Sequence, residues 1–414
     1  MRDCRGKIMN INLEKILTIV IGCLAIFLII KNFYNLFVVY KKHPNDEQNF
    51  LFTVEKLRPL IFVKFFANCL TMPFLSQYIL SLAHNSGVSA HIASMAYVTY
   101  TIFFVLTLVP GGRLVEVKNV KIVLLLMLLA EAVAFGALGV INNFWLIFAV
   151  QAFFGIIIPV SSSAEYAYIF HFSNEKNRAY ALALYANTIK GAAIAGIFIG
   201  GILLHKMSMH SVFLVTVFLL ICCILYGYLF LPEFTSKPSG GKTERTLRVL
   251  YKNFSAILKD ADFLFSSLLA AFPLGLISDG LILFALPILL VKQHISYSII
   301  ADIMVLFSLG FFVSNKFIAK KIDQNGLEKK IIIFGLCGAA LIIILMRYFG
   351  LPFLICGLFI LGMLNGCMLS TSIAVASKSN ISKLIGKNTA LSVYRLFDFF
   401  GRIIGPMVIS FLLF

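Results

Sequence analysis

Residues 121–141 read KIVLLLMLLAEAVAFGALGVI, an apolar run that one acidic residue, Glu131, interrupts near its middle. About twenty such residues are enough for a helix to cross the hydrocarbon core of a bilayer. A helix also satisfies its own backbone hydrogen bonds, which lipid cannot do. This stretch therefore predicts a transmembrane helix, and similar runs recur along most of the chain.

The composition leads to the same class of protein. Of the 414 residues, 60% are hydrophobic and only 13% are charged. A soluble protein of this length could not cover its surface with so few charged side chains. The weaker alternating pattern of an outer-membrane β-barrel is absent from the sequence. We therefore expect an all-α integral membrane protein that crosses the membrane many times.

The apolar spans of helical length fall into two groups. The first group covers residues 59–83, 89–110, 121–141, 144–170, 179–204 and 209–232, and the second covers 263–291, 297–318, 329–347, 350–376 and 389–411. This predicts a six-helix N-terminal bundle over 56–232 and a five-helix C-terminal bundle over 263–414. A further span at 16–40, after a tail of residues 1–15, is too long for a cleaved signal peptide and predicts an extra anchor helix.

The segment between the two bundles, residues 233–262, is more polar than its neighbours. In it, Leu247, Leu250 and Phe254 recur at helical spacing among basic residues. This pattern is typical of an amphipathic helix that lies on a membrane surface. We predict that the segment is a cytoplasmic linker and that it contains such a helix.

The basic residues predict how the chain is oriented. A formal net charge of +17 would suggest a nucleic-acid partner in a soluble protein. Here, however, Lys and Arg concentrate in alternate loops, such as those with Arg113 and Lys118 or with Lys378 and Lys383, while an opposite loop holds only Lys206. Cytoplasmic loops of membrane proteins carry this excess. We therefore expect a multi-pass protein of the plasma membrane that binds no nucleic acid.

The two groups of spans share short sequence matches, which indicate an internal repeat. The matched pairs are Gly112 and Ala319, Glu116 and Asp323, Tyr185 and Tyr394, and Gly196 and Gly405, all at nearly one offset. Several separate matches at a common offset are hard to obtain by chance. They predict two homologous halves.

These residues resemble the signature of the major facilitator superfamily. The family's loop between helices 2 and 3 reads Gly-x-x-x-Asp-Arg-x-Gly-Arg-Arg, of which Gly112, an acid at Glu116 and a base at Lys121 remain here. The second-half copy retains Asp323 and Gly326. The resemblance implies two pseudo-repeat helix bundles.

The match extends over about residues 57–414, and the chain departs from the family at both ends of this region. The second group of spans stops one short, so helix 12 of the family is expected to be missing. The region around Arg58 and Pro59 is similar to a subset of the family that bears an N-terminal sensor and an anchor helix.

The resemblance also implies roles for the glycines. Family glycine motifs are matched by Gly196, Gly200 and Gly201 in the fifth span and by Gly401, Gly405 and Pro406 in the last one. We expect them to permit close helix packing and to form a hinge during alternating access. Gly112, Glu116, Asp323 and Gly326 are expected to form a cytoplasmic latch, the alternative being a simple solvated turn.

By this resemblance we expect a secondary active transporter, not an enzyme. It would move a small solute by alternating access, with protons as the coupling ion, as a monomer and without a cofactor or metal. The alternative is a sensor-linked or truncated membrane protein of the same fold that does not transport.

Ionisable and polar side chains inside the spans mark the candidate transport site, because placing charges in lipid is costly. The candidates for substrate and proton coupling are Asp279, Lys190, Glu165, Arg395, Asp398 and Asn68. Arg395, Asp398 and Arg402 share one helix face, so we expect Asp398 to pair with both arginines. Lys64, one turn before Asn68, could line the same cavity. We expect Asp279 to carry the proton and the substrate to be anionic or zwitterionic; alternatively, these residues form ion pairs that only fix packing.

Overall fold

The structure is a computed structural model, and it describes residues 21–23, 25–26, 30, 50–173, 178–235, 257, 259–322, 328–348, 350–385 and 387–413. The predicted anchor helix at 16–40 and the predicted amphipathic helix of the linker lie largely outside these residues.

The described chain is almost entirely helical. Its α-helices are α1 (Phe50–Cys69), α2 (Leu75–Asn85), α3 (Ala90–Val117), α4 (Val120–Val140), α5 (Phe144–Phe172), α6 (Arg178–Lys206), α7 (Met209–Phe230), α8 (Ala261–Ser266), α9 (Phe272–Gly275), α10 (Leu286–Lys292), α11 (Tyr297–Ile322), α12 (Glu328–Tyr348), α13 (Gly350–Lys378), α14 (Asn380–Ile385) and α15 (Lys387–Leu413). A short 3-10 turn, Met72–Phe74, joins α1 to α2.

These helices begin and end within a few residues of most predicted spans, which confirms the all-α membrane class. Nine stretches of the described chain are long and apolar enough to cross a membrane. Two of them join consecutive elements, namely Lys56–Asn85 and Ala261–Lys292. Nine is fewer than the twelve spans predicted from the sequence.

Side-chain caps fix where several helices start. Asn119 accepts hydrogen bonds from the backbone N–H groups of Lys121 and Ile122 at the start of α4. Asn143 caps α5 and Ser208 caps α7 in the same way. Such caps satisfy N–H groups that have no partner within the helix. Short polar turns with Asn or Ser therefore fix the starts of α4, α5 and α7.

The span Ala261–Lys292 is not a regular α-helix. It contains two π-helical segments, Ser267–Ala271 and Leu276–Ala285. Widened turns of this kind are rare and are frequently found at functional sites. Asp279 lies inside the second π segment.

The chain forms two compact units. Unit 1 comprises residues 1–82, 106–238 and 289–305, and unit 2 comprises residues 83–105, 239–288 and 306–414. Each unit therefore includes one short piece that the sequence order alone would assign to the other half. The six-helix bundle at 56–232 and the five-helix bundle at 263–414 remain predictions.

Glycines bring helices into close contact within each unit. In unit 1, a Cβ added at Gly196 of α6 would lie 2.5 Å from the carbonyl oxygen of Phe66 in α1. In unit 2, a Cβ on Gly405 of α15 would lie 3.0 Å from the carbonyl oxygen of Leu276. Gly196 and Gly405 are a matched pair of the internal repeat, so the same helix pairing recurs in both units.

We expect Gly196→Ala to lower the free energy of unfolding by about 1–3 kcal/mol, because its methyl group would force α1 and α6 apart. The measurement is the thermal unfolding of the detergent-purified protein. Gly136→Ala is the matched control, since its Cβ would meet nothing nearer than a methyl group of Val217 at 3.9 Å. Equal unfolding midpoints for the two variants would contradict the expected close packing.

Candidate functional site

Lys64 of α1 is the centre of a buried charge cluster in unit 1. Its Nζ lies 2.6 Å from Oε1 of Glu165 and 3.9 Å from Oε2 of Glu131. It also donates a hydrogen bond of 2.7 Å to Oγ of Ser161. The side chains of Lys64, Glu131 and Glu165 are all 0% exposed. We call Lys64, Glu131, Glu165 and the polar groups that bind them the lysine cluster.

Two further side chains complete the lysine cluster. The hydroxyl of Tyr185 in α6 donates to Oε2 of Glu165 over 2.7 Å. Nδ2 of Asn68, one turn beyond Lys64 in α1, donates to Oε1 of Glu131 over 2.6 Å. The cluster therefore draws on α1, α4, α5 and α6, and it joins four helices through polar contacts inside one unit.

The lysine cluster holds two carboxyl groups against a single ammonium group. Removing an ion from water costs several kcal/mol even after relaxation, and an opposite charge offsets this only in good geometry. The Lys64–Glu165 pair has that geometry, since it is short and each partner makes further hydrogen bonds. The Glu131 carboxyl has only the more distant ammonium and the Asn68 amide.

A second charge cluster lies in unit 2, and we call it the arginine cluster. Nη1 of Arg402 lies 2.8 Å from Oδ1 of Asp279, and its Nε lies 2.8 Å from Oδ2 of Asp398. The side chains of Arg402, Asp279 and Asp398 are 32%, 8% and 21% exposed. One guanidinium thus bridges two carboxyl groups, of which Asp279 is the more buried.

Glycine makes the arginine cluster possible. A Cβ on Gly275 would collide with the backbone carbonyl of Asp398, and a Cβ on Gly401 would collide with that of Phe272. The span around Asp279 and helix α15 can therefore approach closely enough for Arg402 to reach across. Gly401 and the charged side chain of Arg402 therefore lie at one contact, between α15 and the span Ala261–Lys292.

The arginine cluster differs from the pairing predicted from sequence. The helical spacing led us to expect Asp398 to pair with both Arg395 and Arg402, but the ion pairs of the described residues place it with Arg402. Arg395 is exposed instead. Spacing along α15 could not reveal that Arg402 also reaches Asp279, because that contact depends on which helix packs alongside.

The other predicted candidates divide by unit. Glu165 and Asn68 lie in the lysine cluster with Lys64. Lys190 of α6 is exposed in unit 1. In the sequence, Tyr185 stands out only through the internal repeat, and no pattern indicates that its hydroxyl donates to Glu165.

The internal repeat is also visible in a side-chain contact. In unit 2, the hydroxyl groups of Tyr394 and Ser372 lie 2.5 Å apart. Tyr394 matches Tyr185 in the repeat, and in unit 1 Tyr185 bonds Glu165. Equivalent helix pairs, α5 with α6 and α13 with α15, thus make a tyrosine contact in each unit. The partner of the tyrosine is a carboxyl group in unit 1 and a hydroxyl group in unit 2.

Part of the predicted cytoplasmic latch is outside the described residues. Gly112 lies within α3, where a Cβ would meet nothing within 4 Å. The side chain of Glu116 and the residues Asp323 and Gly326 are not among those described. The adjoining loop is anchored by Lys121, whose Nζ lies 3.7 Å from Oε1 of Glu233.

Comparison with models of known protein families identifies one family. The family model described as Major Facilitator Superfamily matches residues 59–413 of the chain. No curated protein sequence gives a significant match.

Solved structures show the same fold at low sequence identity. A bacterial homolog of the human lysosomal transporter Spinster, inward-facing and unoccupied, is 16% identical with a TM-score of 0.66, over 89% of this chain and 83% of that one. The nucleoside transporter NupG is 16% identical with a TM-score of 0.69, over 86% of this chain and 91% of that one. A POT family transporter in complex with a thioalcohol-conjugated peptide is 14% identical with a TM-score of 0.66, over 87% and 90%.

Proposed function

The chain belongs to the Major Facilitator Superfamily, and from this premise we propose that it is a proton-coupled secondary transporter that works by alternating access. That it is a multi-pass membrane transporter follows from the family and the apolar helices. The coupling ion, the substrate class and a plasma-membrane location are the proposed part. We also propose that the protein acts as a monomer.

The observation that carries the proposal is the shared ion pair of Asp279. This carboxyl is 8% exposed, lies in a π-helical segment and competes with Asp398 for one guanidinium group. A proton on Asp279 would remove its attraction for Arg402 and leave that charge to Asp398. Binding and release of one proton would thus change a contact between two helices, which is what coupling requires.

Two exposed cations support an anionic or zwitterionic substrate. Lys190 and Arg395 are both exposed although each lies within a helix of mostly apolar composition. A cation at the centre of a membrane costs about 2.5–3.5 kcal/mol on insertion scales, so such residues usually face a water-filled path. We propose that Lys190 and Arg395 attract the negative group of the substrate.

The remaining predicted residues would serve the movement rather than the binding. We propose that Gly112, Glu116, Asp323 and Gly326 act as a cytoplasmic latch. The close-packed Gly196, Gly200, Gly201, Gly401 and Gly405 would let helices slide past one another without a bulky side chain in the way. We propose that Pro406, which lies inside α15, belongs to the same hinge.

The test is flux into proteoliposomes with an imposed pH gradient. The panel comprises nucleosides and short peptides, taken from the solved relatives, and organic anions, chosen for the exposed cations. We expect at least one class to accumulate with the gradient and to stop when a protonophore removes it. If no class moves with the gradient in vesicles that hold folded protein, the proposed function is wrong.

A further inference from the structure

The lysine cluster contains two polar atoms that lack a hydrogen-bond partner among the described residues. They are Oε2 of Glu131 and Oδ1 of Asn68, and both are buried. The two residues already touch through their other polar atoms, Asn68 Nδ2 and Glu131 Oε1. Buried acceptors without a donor are rare, and a pair of them on contacting residues calls for one missing donor.

The charges of the cluster indicate what that donor is. Glu165 receives the Lys64 ammonium at 2.6 Å and the Tyr185 hydroxyl at 2.7 Å, so both of its oxygens are satisfied as a carboxylate. Oε2 of Glu131 lies 3.9 Å from the same ammonium nitrogen, which is too far for a hydrogen bond. With Glu165 ionised, Lys64 is neutralised, and a second ionised carboxylate would be an uncompensated charge at 0% exposure.

The other groups near Glu131 offer it no counter-charge. Among the described residues, the titratable side chains other than Lys64 that act on Glu131 are Glu165 and Cys223 of α7, and neither is a cation. A metal cation at the two unpartnered oxygens would lie beside the Lys64 ammonium and be repelled by it. A proton has no such obstacle, because it makes Glu131 neutral and supplies a donor.

We propose that Glu131 is a second proton-binding site of this protein, inside unit 1 and separate from Asp279. The bound proton forms the O–H of a carboxylic acid at Oε2 of Glu131, which would donate to the unpartnered Oδ1 of Asn68 while Nδ2 of Asn68 still donates to Oε1. On its release, the ionised Glu131 carboxylate attracts the Lys64 ammonium in competition with Glu165. The Lys64 ammonium then shifts position, and this shift changes the contacts of α1 with α4 and α5.

The proposal concerns proton occupancy and does not depend on transport. The test is infrared spectroscopy of the full-length purified protein at neutral pH, in ordinary and heavy water, using the C=O stretch of protonated carboxylic acids. We expect a band from a buried acid that shifts in Glu131→Asp and disappears in Glu131→Gln. The conservative Asp variant retains an acid at this position, which keeps the test valid if the Gln variant folds poorly.

Three comparisons fix the assignment. Glu165→Gln should weaken the band, because Lys64 then has only Glu131 to pair with and draws its proton off. Lys64→Met should strengthen it, because Glu165 loses its counter-ion and is then expected to bind a proton as well. Glu233→Asp should leave it unchanged, since that carboxylate is 65% exposed.

A band that shifts in Glu165→Asp but not in Glu131→Asp would overturn the proposal and place the proton on Glu165. A missing band together with sodium-dependent thermal stability that is lost in Glu131→Gln would overturn it in favour of a metal cation. Either result leaves the flux measurements on Asp279 unaffected, so this proposal and the proposed transport function fail separately.

Discussion

Lys64→Met is expected to destabilise the protein by about 3–5 kcal/mol, the usual effect of removing one partner from a buried ion pair. The variant keeps the length and the apolar stem of the side chain, so the loss is mainly one of charge. It leaves the Glu165 carboxylate at 0% exposure without its counter-ion. The measurement is the unfolding of the detergent-purified protein by heat or denaturant.

Two further variants make this result specific to the lysine cluster. The double variant Lys64→Met with Glu165→Gln removes both charges of the short pair and is expected to recover much of the lost stability. Lys329→Met breaks an ion pair with Asp262 whose side chains are 55% and 51% exposed, and such pairs contribute only about 0–1 kcal/mol. If Lys64→Met unfolds at the wild-type midpoint, the cluster does not stabilise unit 1.

Asp279→Asn is expected to abolish accumulation driven by a pH gradient for the solute that the wild-type protein transports. A coupling free energy of about 1–3 kcal/mol corresponds to a loss of about 5–150-fold, and the Asn side chain cannot carry the proton. It can still accept a hydrogen bond from Arg402, so the helix contact should survive. Exchange of labelled for unlabelled solute without a gradient should therefore continue.

Asp262→Asn is the matched control for this experiment. It also removes one carboxylate that pairs with a basic side chain in unit 2, but at the exposed start of α8 rather than inside the span. Its gradient-driven uptake should equal that of the wild-type protein. Full accumulation by Asp279→Asn would show that Asp279 does not carry the coupling proton, and the search would move to Glu131.

The positions of the helices could be predicted because hydropathy is a local property. Each span owes its length to the thickness of the bilayer, and polar residues such as Asn119, Asn143 and Ser208 mark helix starts through caps formed with their own neighbours. The internal repeat was equally accessible, since it requires only that the chain be compared with itself. No pattern in the sequence predicted the π-helical turns around Asp279.

The partners of the charged residues, in contrast, could not be predicted from the sequence. Helical spacing showed that Arg395, Asp398 and Arg402 share a face, but it did not show that Asp398 pairs with Arg402. It could not say that Arg402 reaches Asp279, more than one hundred positions earlier in the chain. Such a contact is decided by which helix packs alongside.

The run at 121–141 shows both kinds of information in one helix. Its apolar residues alone predict a transmembrane helix. A backbone in lipid must satisfy its own hydrogen bonds, and a helix does this within a single segment. The single Glu131 within it stood out as an anomaly. Only the tertiary structure decided that this carboxyl lies against Asn68 and Lys64, since a buried charge is tolerated according to the neighbours that packing brings to it.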